Sequence, residues 1–135
     1  MTSSIALVTV VVRDYDEAIA WFTQSLGFRL LEDTPRGPGK RWVRVGPDGG
    51  GTALLLAQPN DDAQAACIGC QAGGRVGFFL RSDDFDRDHA AMVARGVRFR
   101  EAPRREAYGT VAVFEDLYGN AWDLLELKAA AEPRA

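Results

Sequence analysis

Histidine and cysteine, which often bind metals or serve catalysis, are scarce here: the chain has one histidine, His89, and two cysteines, Cys67 and Cys70. An iron site of the 2-His-1-carboxylate type needs two histidines, so one chain cannot build it. A structural zinc site needs four ligands, and a second cysteine pair is absent. Because the pair precedes a glycine-rich stretch rather than opening a helix, we interpret it as two small loop residues, with redox and metal roles as alternatives.

An internal repeat organises the chain. Asp14 is followed 70 residues later by Asp84, and Gly27 is followed 69 residues later by Gly96, each within similar local sequence. A repeat of this length is typical of one supersecondary module used twice, with the two modules burying faces against each other. Paired modules form a cleft, and clefts bind small molecules.

Hydrophobic periodicity predicts the order β-α-β-β-β in each module. Predicted strands cover 5–12, 28–32, 41–45 and 52–57, then 76–81, 97–101, 110–115 and 121–127. The predicted helices cover 15–26, with Asp14 as N-cap, and the segment from Asp83 or Asp84 to Arg95. Residues 34–40, 58–74 and 102–109 are predicted loops. His89 shares a helical face with Phe85 and Met92, which indicates a packing residue rather than a catalytic base.

Length and composition predict one domain without a membrane or nucleic-acid role. It comprises module one (5–57), a linker (58–74), module two (75–127) and a frayed tail (128–135). The net charge of −3 argues against nucleic acid and anionic membranes as partners. No apolar run approaches the roughly 20 residues that cross a bilayer, and the first residues lack the basic start of a signal peptide. We therefore expect a cytoplasmic location.

The two modules, together with the string FEDLYGNAWDL at 114–124, resemble the glyoxalase/bleomycin-resistance/extradiol-dioxygenase superfamily, also called vicinal oxygen chelate. The resemblance covers residues 5–127. Within the string, Gly119 and Asn120 are residues that tolerate the positive φ of a tight turn, after which the strand is expected to return into the cleft. The resemblance implies an α+β fold in which two βαβββ modules with curved mixed sheets form a cup-shaped cleft. It also implies a homodimer, with modules paired within a chain or between chains.

The metal sites of this superfamily imply a metal-free protein here. Its enzymes carry metal-binding His or Glu at positions that fall on Leu7, Gly77, the stretch 53–55 and Asp123 in this sequence. Only Asp123 among these is acidic. Catalytic zinc needs about three protein ligands, and magnesium or manganese wants several oxygens. One carboxylate cannot meet that need, so we expect no metal and no cofactor.

The remaining cleft positions predict a mostly apolar pocket with a few polar anchors. Because side chains alternate along strands, Leu7 facing the cleft would bring Thr9 with it, and Gly77 would bring Phe79 and Arg81. The predicted ligand-binding residues are Thr9, Trp42, Phe79, Arg81, Tyr108 and Asp123. Trp42 has strand packing as its alternative role, and Tyr108 precedes a hinge-like glycine, Gly109. Trp122 should point opposite to Asp123, into the core between helix and sheet.

Asp123 allows two interpretations. It is either neutralised by an arginine such as Arg81 or Arg44, or it binds a ligand cation or acts as a general base. The favoured function is metal-free binding of a small, partly apolar or aromatic molecule. One alternative is a metal-dependent lyase, isomerase or dioxygenase with unfamiliar ligands, for example Asp123 with Glu126 or residues from a second chain. Another is an interaction module with a vestigial cup. The sequence assigns no catalytic residue.

Overall fold

The computed structural model describes residues 2–128, and the chain divides into two compact units. The first unit ends at Gln71 and the second begins at Ala72, so the boundary falls inside the predicted linker at 58–74. Each unit has its own sheet and its own main helix. The predicted tail lies outside the described residues except for Lys128.

The first unit has the predicted β-α-β-β-β order. Its elements are β1 (Leu7–Val11), α1 (Tyr15–Ala20), a π-helical continuation of α1 (Trp21–Ser25), β2 (Arg29–Pro35), β3 (Arg41–Gly46), β4 (Ala53–Ala57) and α2 (Asp62–Ala65). The sheet order is β1-β4-β3-β2, and it is mixed because β1 runs parallel to β4 whereas the other pairs are antiparallel.

Two boundaries in the first unit differ from the prediction. Strand β2 continues to Pro35, into the predicted loop, because its ladder with β3 extends to the pair Pro35↔Arg41. Asp33 and Arg41 form an ion pair of 2.7 Å within that extension. The short helix α2 lies in the predicted linker, where Asp61 caps it by accepting a hydrogen bond from the backbone N–H of Gln64.

The core of the first unit lies between α1 and one face of the sheet. Asp14 caps the helix as predicted, accepting a hydrogen bond of 2.8 Å from the N–H of Glu17. The fully buried side chains here include Phe22 of the π-helical segment and, at alternate strand positions, Val10, Val43 and Leu56. Burying a side chain of this size contributes about 1.5–3 kcal/mol, so this face holds the unit together.

The second unit repeats the same plan. Its elements are β5 (Val76–Arg81), α3 (Phe85–Ala94), β6 (Arg98–Phe99), β7 (Arg104–Glu106), β8 (Gly109–Glu115) and β9 (Ala121–Leu127). The order is β5-β9-β8-β6, with β5 parallel to β9, which matches the order of the first sheet. Asp84 caps α3 by accepting a hydrogen bond from the N–H of Arg87. Two tandem βαβββ modules with mixed sheets are therefore confirmed.

The segment from 97 to 109 departs from the prediction. The predicted strand 97–101 is shorter, and the predicted charged loop contains β7, which pairs with the start of β8. Its charged side chains stay exposed and are matched by carboxylates: Arg104 pairs with Glu101 and Glu106 at 2.9 Å each, and Arg105 pairs with Asp86 at 3.2 Å. Strand β7 has no apolar residue to bury. Its backbone hydrogen bonds to β8 and its ion pairs hold it in place instead.

A chain of aromatic contacts links α3 to its sheet. His89 lies 5.4 Å from Phe85 and 4.4 Å from Phe99, measured between ring centroids, so it is a packing residue as predicted. The series continues through Phe114 to Trp122, whose ring stacks on Phe78 at 4.5 Å. Trp122 is thus buried on the α3 side of the sheet, as strand alternation predicted.

The turn between β8 and β9 is built around a buried carboxylate. Asp116 accepts hydrogen bonds from the backbone N–H groups of Tyr118 and Asn120, from the Asn120 side chain and from the Trp122 indole, at 2.9–3.1 Å. Gly119 has a φ of 98°, as expected, but no residue other than glycine has a positive φ among the described residues. Asn120 therefore does not use the positive φ that its residue type tolerates, and its side chain instead donates a hydrogen bond to Asp116.

Candidate functional site

In each unit, one face of the sheet packs against the main helix, and we call the opposite face the distal face. In the second unit, alternation along β5 leaves Gly77, Phe79 and Arg81 exposed, whereas Phe78 and Leu80 are half-buried on the α3 side. Phe79 is 67% exposed, an unusual value for an aromatic side chain in a strand. The distal face therefore carries Phe79 and Arg81, the two predicted ligand-binding residues of β5.

Asp123 lies beside Phe79 on this distal face. The two residues are partners in the β5–β9 ladder, and Val113 of β8 is the partner of Asp123 on its other side. The Oδ1 atom of Asp123 is buried and has no hydrogen-bond partner within residues 2–128. Burial raises the pKa of Asp123, nearby Arg104 opposes that rise, and Glu101 adds to it. This carboxylate is therefore short of a donor.

The arginines expected to neutralise Asp123 do not bond to this oxygen. Arg44 belongs to the first unit and pairs there with Glu32, at 3.0 Å. Arg81 lies one ladder step away, opposite Leu125, and makes no hydrogen bond to Asp123 Oδ1. A buried carboxylate oxygen needs a hydrogen-bond donor, and the described part of the chain does not supply one at Oδ1.

A metal site combining Asp123 with Glu126 is also wrong. Their spacing of three residues places them on opposite faces of β9. Glu126 points to the α3 side, where its Oε1 accepts a hydrogen bond of 2.7 Å from the N–H of Phe85 and supports the start of α3. Among residues 2–128, no group of three or more His, Cys, Asp or Glu side chains is arranged to hold a metal ion.

The cysteine pair lies on the surface of the first unit. Cys67 and Cys70 are both exposed free thiols that follow helix α2. Each thiol donates to a backbone carbonyl four residues earlier, at Ala63 and Ala66. The pair therefore lies in the turns that follow α2, within the predicted linker.

In the first unit, Thr9 and Trp42 share the distal face. Thr9 is the ladder partner of Leu55, which in turn pairs with Arg44 of β3. Trp42 is two residues from Arg44 and therefore points the same way, and the Arg36 guanidinium carbon lies 5.5 Å from its ring centroid. This face combines an aromatic ring and aliphatic side chains with cationic groups.

Sequence reasoning missed the ion pair at the centre of this face. Glu32 accepts hydrogen bonds from Arg44, at 3.0 Å, and from the hydroxyl of Thr34, at 2.9 Å. The Arg44 bond, followed by the Thr34 bond, holds the pKa of Glu32 below its usual value. The period-two pattern could have assigned each of these residues to a face of its own strand, but their pairing depends on the register of β2 and β3, which shifts between Leu30 and Glu32.

Tyr108 lies in the connection between β7 and β8, and Gly109 is the first residue of β8. Tyr108 is 41% exposed in this turn. Gly109 is buried within β8, and a Cβ atom at this position would lie 2.0 Å from the carbonyl oxygen of Glu126. Gly109 is therefore not a hinge, because it permits a close approach of two backbones.

Gln71 is a further residue that the sequence did not indicate. Strand β1 lies at the end of its sheet, where an edge strand leaves backbone groups unpaired. The Gln71 side chain bonds to two of them, donating to the Thr9 carbonyl at 2.6 Å and accepting from the Val11 N–H at 2.8 Å. It thereby fixes the backbone at Thr9, a predicted ligand-binding residue.

Gln71→Ala is expected to lower the free energy of unfolding by about 1–2 kcal/mol, because two backbone groups of β1 lose their partner. Urea denaturation measures this change. Gln24→Ala, at an exposed position of the π-helical segment, is the control and should change stability by less than about 0.5 kcal/mol. Equal effects of the two substitutions would show that Gln71 does not stabilise β1.

Comparisons with known proteins place the chain in a family. Residues 4–124 match the model of the Glyoxalase/Bleomycin resistance protein/Dioxygenase superfamily. An uncharacterized protein of Shewanella frigidimarina is 52% identical, over 94% of this chain and 96% of its own length. The crystal structure of UcmS2 is 30% identical with a TM-score of 0.80, covering 93% of this chain and 98% of that one.

A further solved structure is that of TnmS3, described as an antibiotic binding protein from Streptomyces sp. CB03234. It is 32% identical with a TM-score of 0.75, and the match covers 94% of this chain and 98% of that chain. The family match spans most of the chain and agrees with the two βαβββ units and their mixed sheets. The chain belongs to the glyoxalase/bleomycin resistance protein/dioxygenase superfamily.

Proposed function

We propose that this protein binds a small, partly apolar or aromatic molecule on the distal face of a sheet, without the help of a metal ion. The observation that carries the proposal is the composition of the distal face around Asp123. This carboxylate is flanked on its ladder by Phe79 and Val113, and residues 2–128 hold no group of three or more potential metal ligands. Such a face can hold an apolar molecule and offers one strong polar anchor.

The aromatic residues supply the binding surface. Phe79 and Tyr108 in the second unit are 67% and 41% exposed, and Trp42 in the first unit is half-buried. An aromatic contact of good geometry contributes about 0.5–1.5 kcal/mol beyond its buried area. Thr9 in the first unit and Arg81 in the second would each offer polar contacts on the distal face of its own sheet. The antibiotic-binding description of TnmS3, a relative at 32% identity, supports the same kind of ligand.

Equilibrium dialysis against a panel of polycyclic aromatic compounds, including antibiotics, tests the proposal. We expect at least one compound to bind, and we expect its affinity to be unchanged after treatment with a chelator. Elemental analysis of protein purified without chelators should find far less than one divalent metal per chain. Stoichiometric metal, or binding that requires added metal, would instead favour the metal-dependent lyase, isomerase or dioxygenase.

Phe79→Ala is expected to weaken binding of such a compound about tenfold, which corresponds to about 1.4 kcal/mol, because an exposed ring is removed from the binding surface. Folding should be little affected, since the side chain is 67% exposed in the free protein. Val93→Ala is the matched control, because Val93 is an exposed apolar residue of α3. Unchanged affinity in Phe79→Ala would remove β5 from the binding surface.

The assembly and location of the protein belong to this proposal as well. The homodimer and the cytoplasmic location expected from the sequence stay predictions. Within residues 2–128, every helix is too short or too polar to cross a membrane. Light scattering coupled to size-exclusion chromatography would measure the oligomeric state.

A further inference from the structure

Asp123 Oδ1 is a polar atom for which the packing of the second unit provides no counterpart. It is buried, and no donor among residues 2–128 reaches it. Removing a carboxylate oxygen from water without a replacement donor is costly, so such atoms normally have a partner. Because Asp123 as a whole is half-buried, a small rotation of its carboxylate would let a bound molecule supply the missing donor.

The side chains around this oxygen favour a positively charged donor. The exposed ring of Phe79 is the ladder partner of Asp123, and the face of an aromatic ring attracts cations. Glu101 lies near Val113, the other ladder partner, because its Oε2 accepts a hydrogen bond of 2.9 Å from the Val113 N–H. Two carboxylates and one ring thus contribute negative potential to this part of the distal face.

The arginines nearby leave Oδ1 without a hydrogen bond, although Arg104 outweighs Glu101 in its electrostatic effect on Asp123. Among the cations, Arg104 has the strongest electrostatic effect on Asp123. Its guanidinium, however, already donates to Glu101 and Glu106, at 2.9 Å each. Arg81 lies on the same face one ladder step along, opposite Leu125, and does not bond to Oδ1. An incoming cation would therefore meet an acid whose Oδ1 is not already engaged.

We infer that the ligand of this face carries a cationic nitrogen with at least one hydrogen, such as a primary ammonium, which donates to Asp123 Oδ1 while its apolar body lies against Phe79. This inference rests on the proposed binding function and specifies the ligand class. A charged N–H donor is favoured over a neutral one because hydrogen bonds between ionised groups are about twice as strong as neutral ones. The bound nitrogen would also gain a cation–π contact with Phe79.

Two compounds of equal shape test the charge requirement. Anthracenylmethylamine carries an ammonium group at neutral pH, whereas anthracenylmethanol carries a hydroxyl on the same ring system. Fluorescence anisotropy titration of the intact protein should show the amine binding at least about tenfold tighter than the alcohol. Asp123→Asn should abolish this preference, which is the ratio of the two affinities measured on the same variant. Asp86→Asn, which removes one exposed carboxylate from the same unit, should keep the preference.

The outcomes separate the ligand class from the binding function. Equal affinity for the amine and the alcohol, or a preference that survives Asp123→Asn, overturns the cation requirement while the proposed function stands. Binding of neither compound, together with no binding anywhere in the aromatic panel, overturns both. The comparison of the two compounds on the unsubstituted protein does not depend on how any variant folds.

Discussion

Replacing Asp116 with alanine is expected to lower the free energy of unfolding by about 3–5 kcal/mol, because four donors lose one buried acceptor. Two of these donors are backbone N–H groups of the turn, at Tyr118 and Asn120, and two are the side chains of Asn120 and Trp122. Asp116 is only 5% exposed, so water cannot fully replace it. The Trp122 indole would also lose the bond that orients it against Phe78 and Phe114.

Urea denaturation with tryptophan fluorescence measures this effect, and two further variants interpret it. Asp83→Ala removes an exposed aspartate whose ion pair is with Arg87 and should cost less than about 1 kcal/mol. Asp116→Asn keeps the shape but presents an amide N–H₂ or a weaker acceptor to the Asn120 and Trp122 donors, so an intermediate loss is expected. A loss below about 1 kcal/mol in Asp116→Ala would show that the turn forms without the carboxylate.

This turn also shows how far the sequence could be interpreted. The Asp-x-x-Gly-Asn pattern marked the position of the turn and its glycine, because glycine adopts a positive φ without strain. It did not reveal why asparagine follows. Asn120 has ordinary backbone geometry and is held by its side-chain bond to Asp116, a contact within the turn that backbone preference alone does not predict.

The elements were predictable where burial decides them. Apolar periodicity found the strands and helices that pack against each other, and the caps at Asp14 and Asp84 followed from local hydrogen bonding. Strand β7 was missed because Arg104, Arg105 and Glu106 are charged and show no apolar alternation. Its pairing with β8 depends on the tight connection through Gly109, which periodicity does not register.

For the candidate site, the sequence could predict which way the side chains point but not which hydrogen-bond partners they have. Strand alternation placed Phe79, Arg81 and Asp123 on one face and Trp122 on the other, since the side-chain period of a strand is two. The donor for Asp123 could not be assigned, because which arginine reaches an acid depends on ladder register. Gln71 contacts Thr9 across 62 residues of sequence, and nothing in the local pattern indicates a contact of that range.

Gly109→Ala is expected to cost about 3 kcal/mol or more of unfolding free energy, because the added methyl group has no room. The Cβ atom would lie 2.0 Å from the Glu126 carbonyl oxygen and 3.0 Å from Leu127 Cα, and both are backbone atoms of the neighbouring strand. The φ of Gly109 is also 151°, which disfavours a side chain. Relief of the clash would require β8 and β9 to separate at this end.

Gly96→Ala separates the clash from the backbone preference. Gly96 also has a positive φ, 88°, but a Cβ atom there would meet nothing within 4 Å, so only the cost of the conformation remains, about 1 kcal/mol. Chemical denaturation of both variants gives the difference. Glu126 supports the start of α3 and Tyr108 directly precedes Gly109, so the clash should disturb both. Gly109→Ala should therefore also weaken ligand binding if Tyr108 belongs to the binding surface. Equal stability of the two variants would show that β8 and β9 can separate at Gly109 without loss.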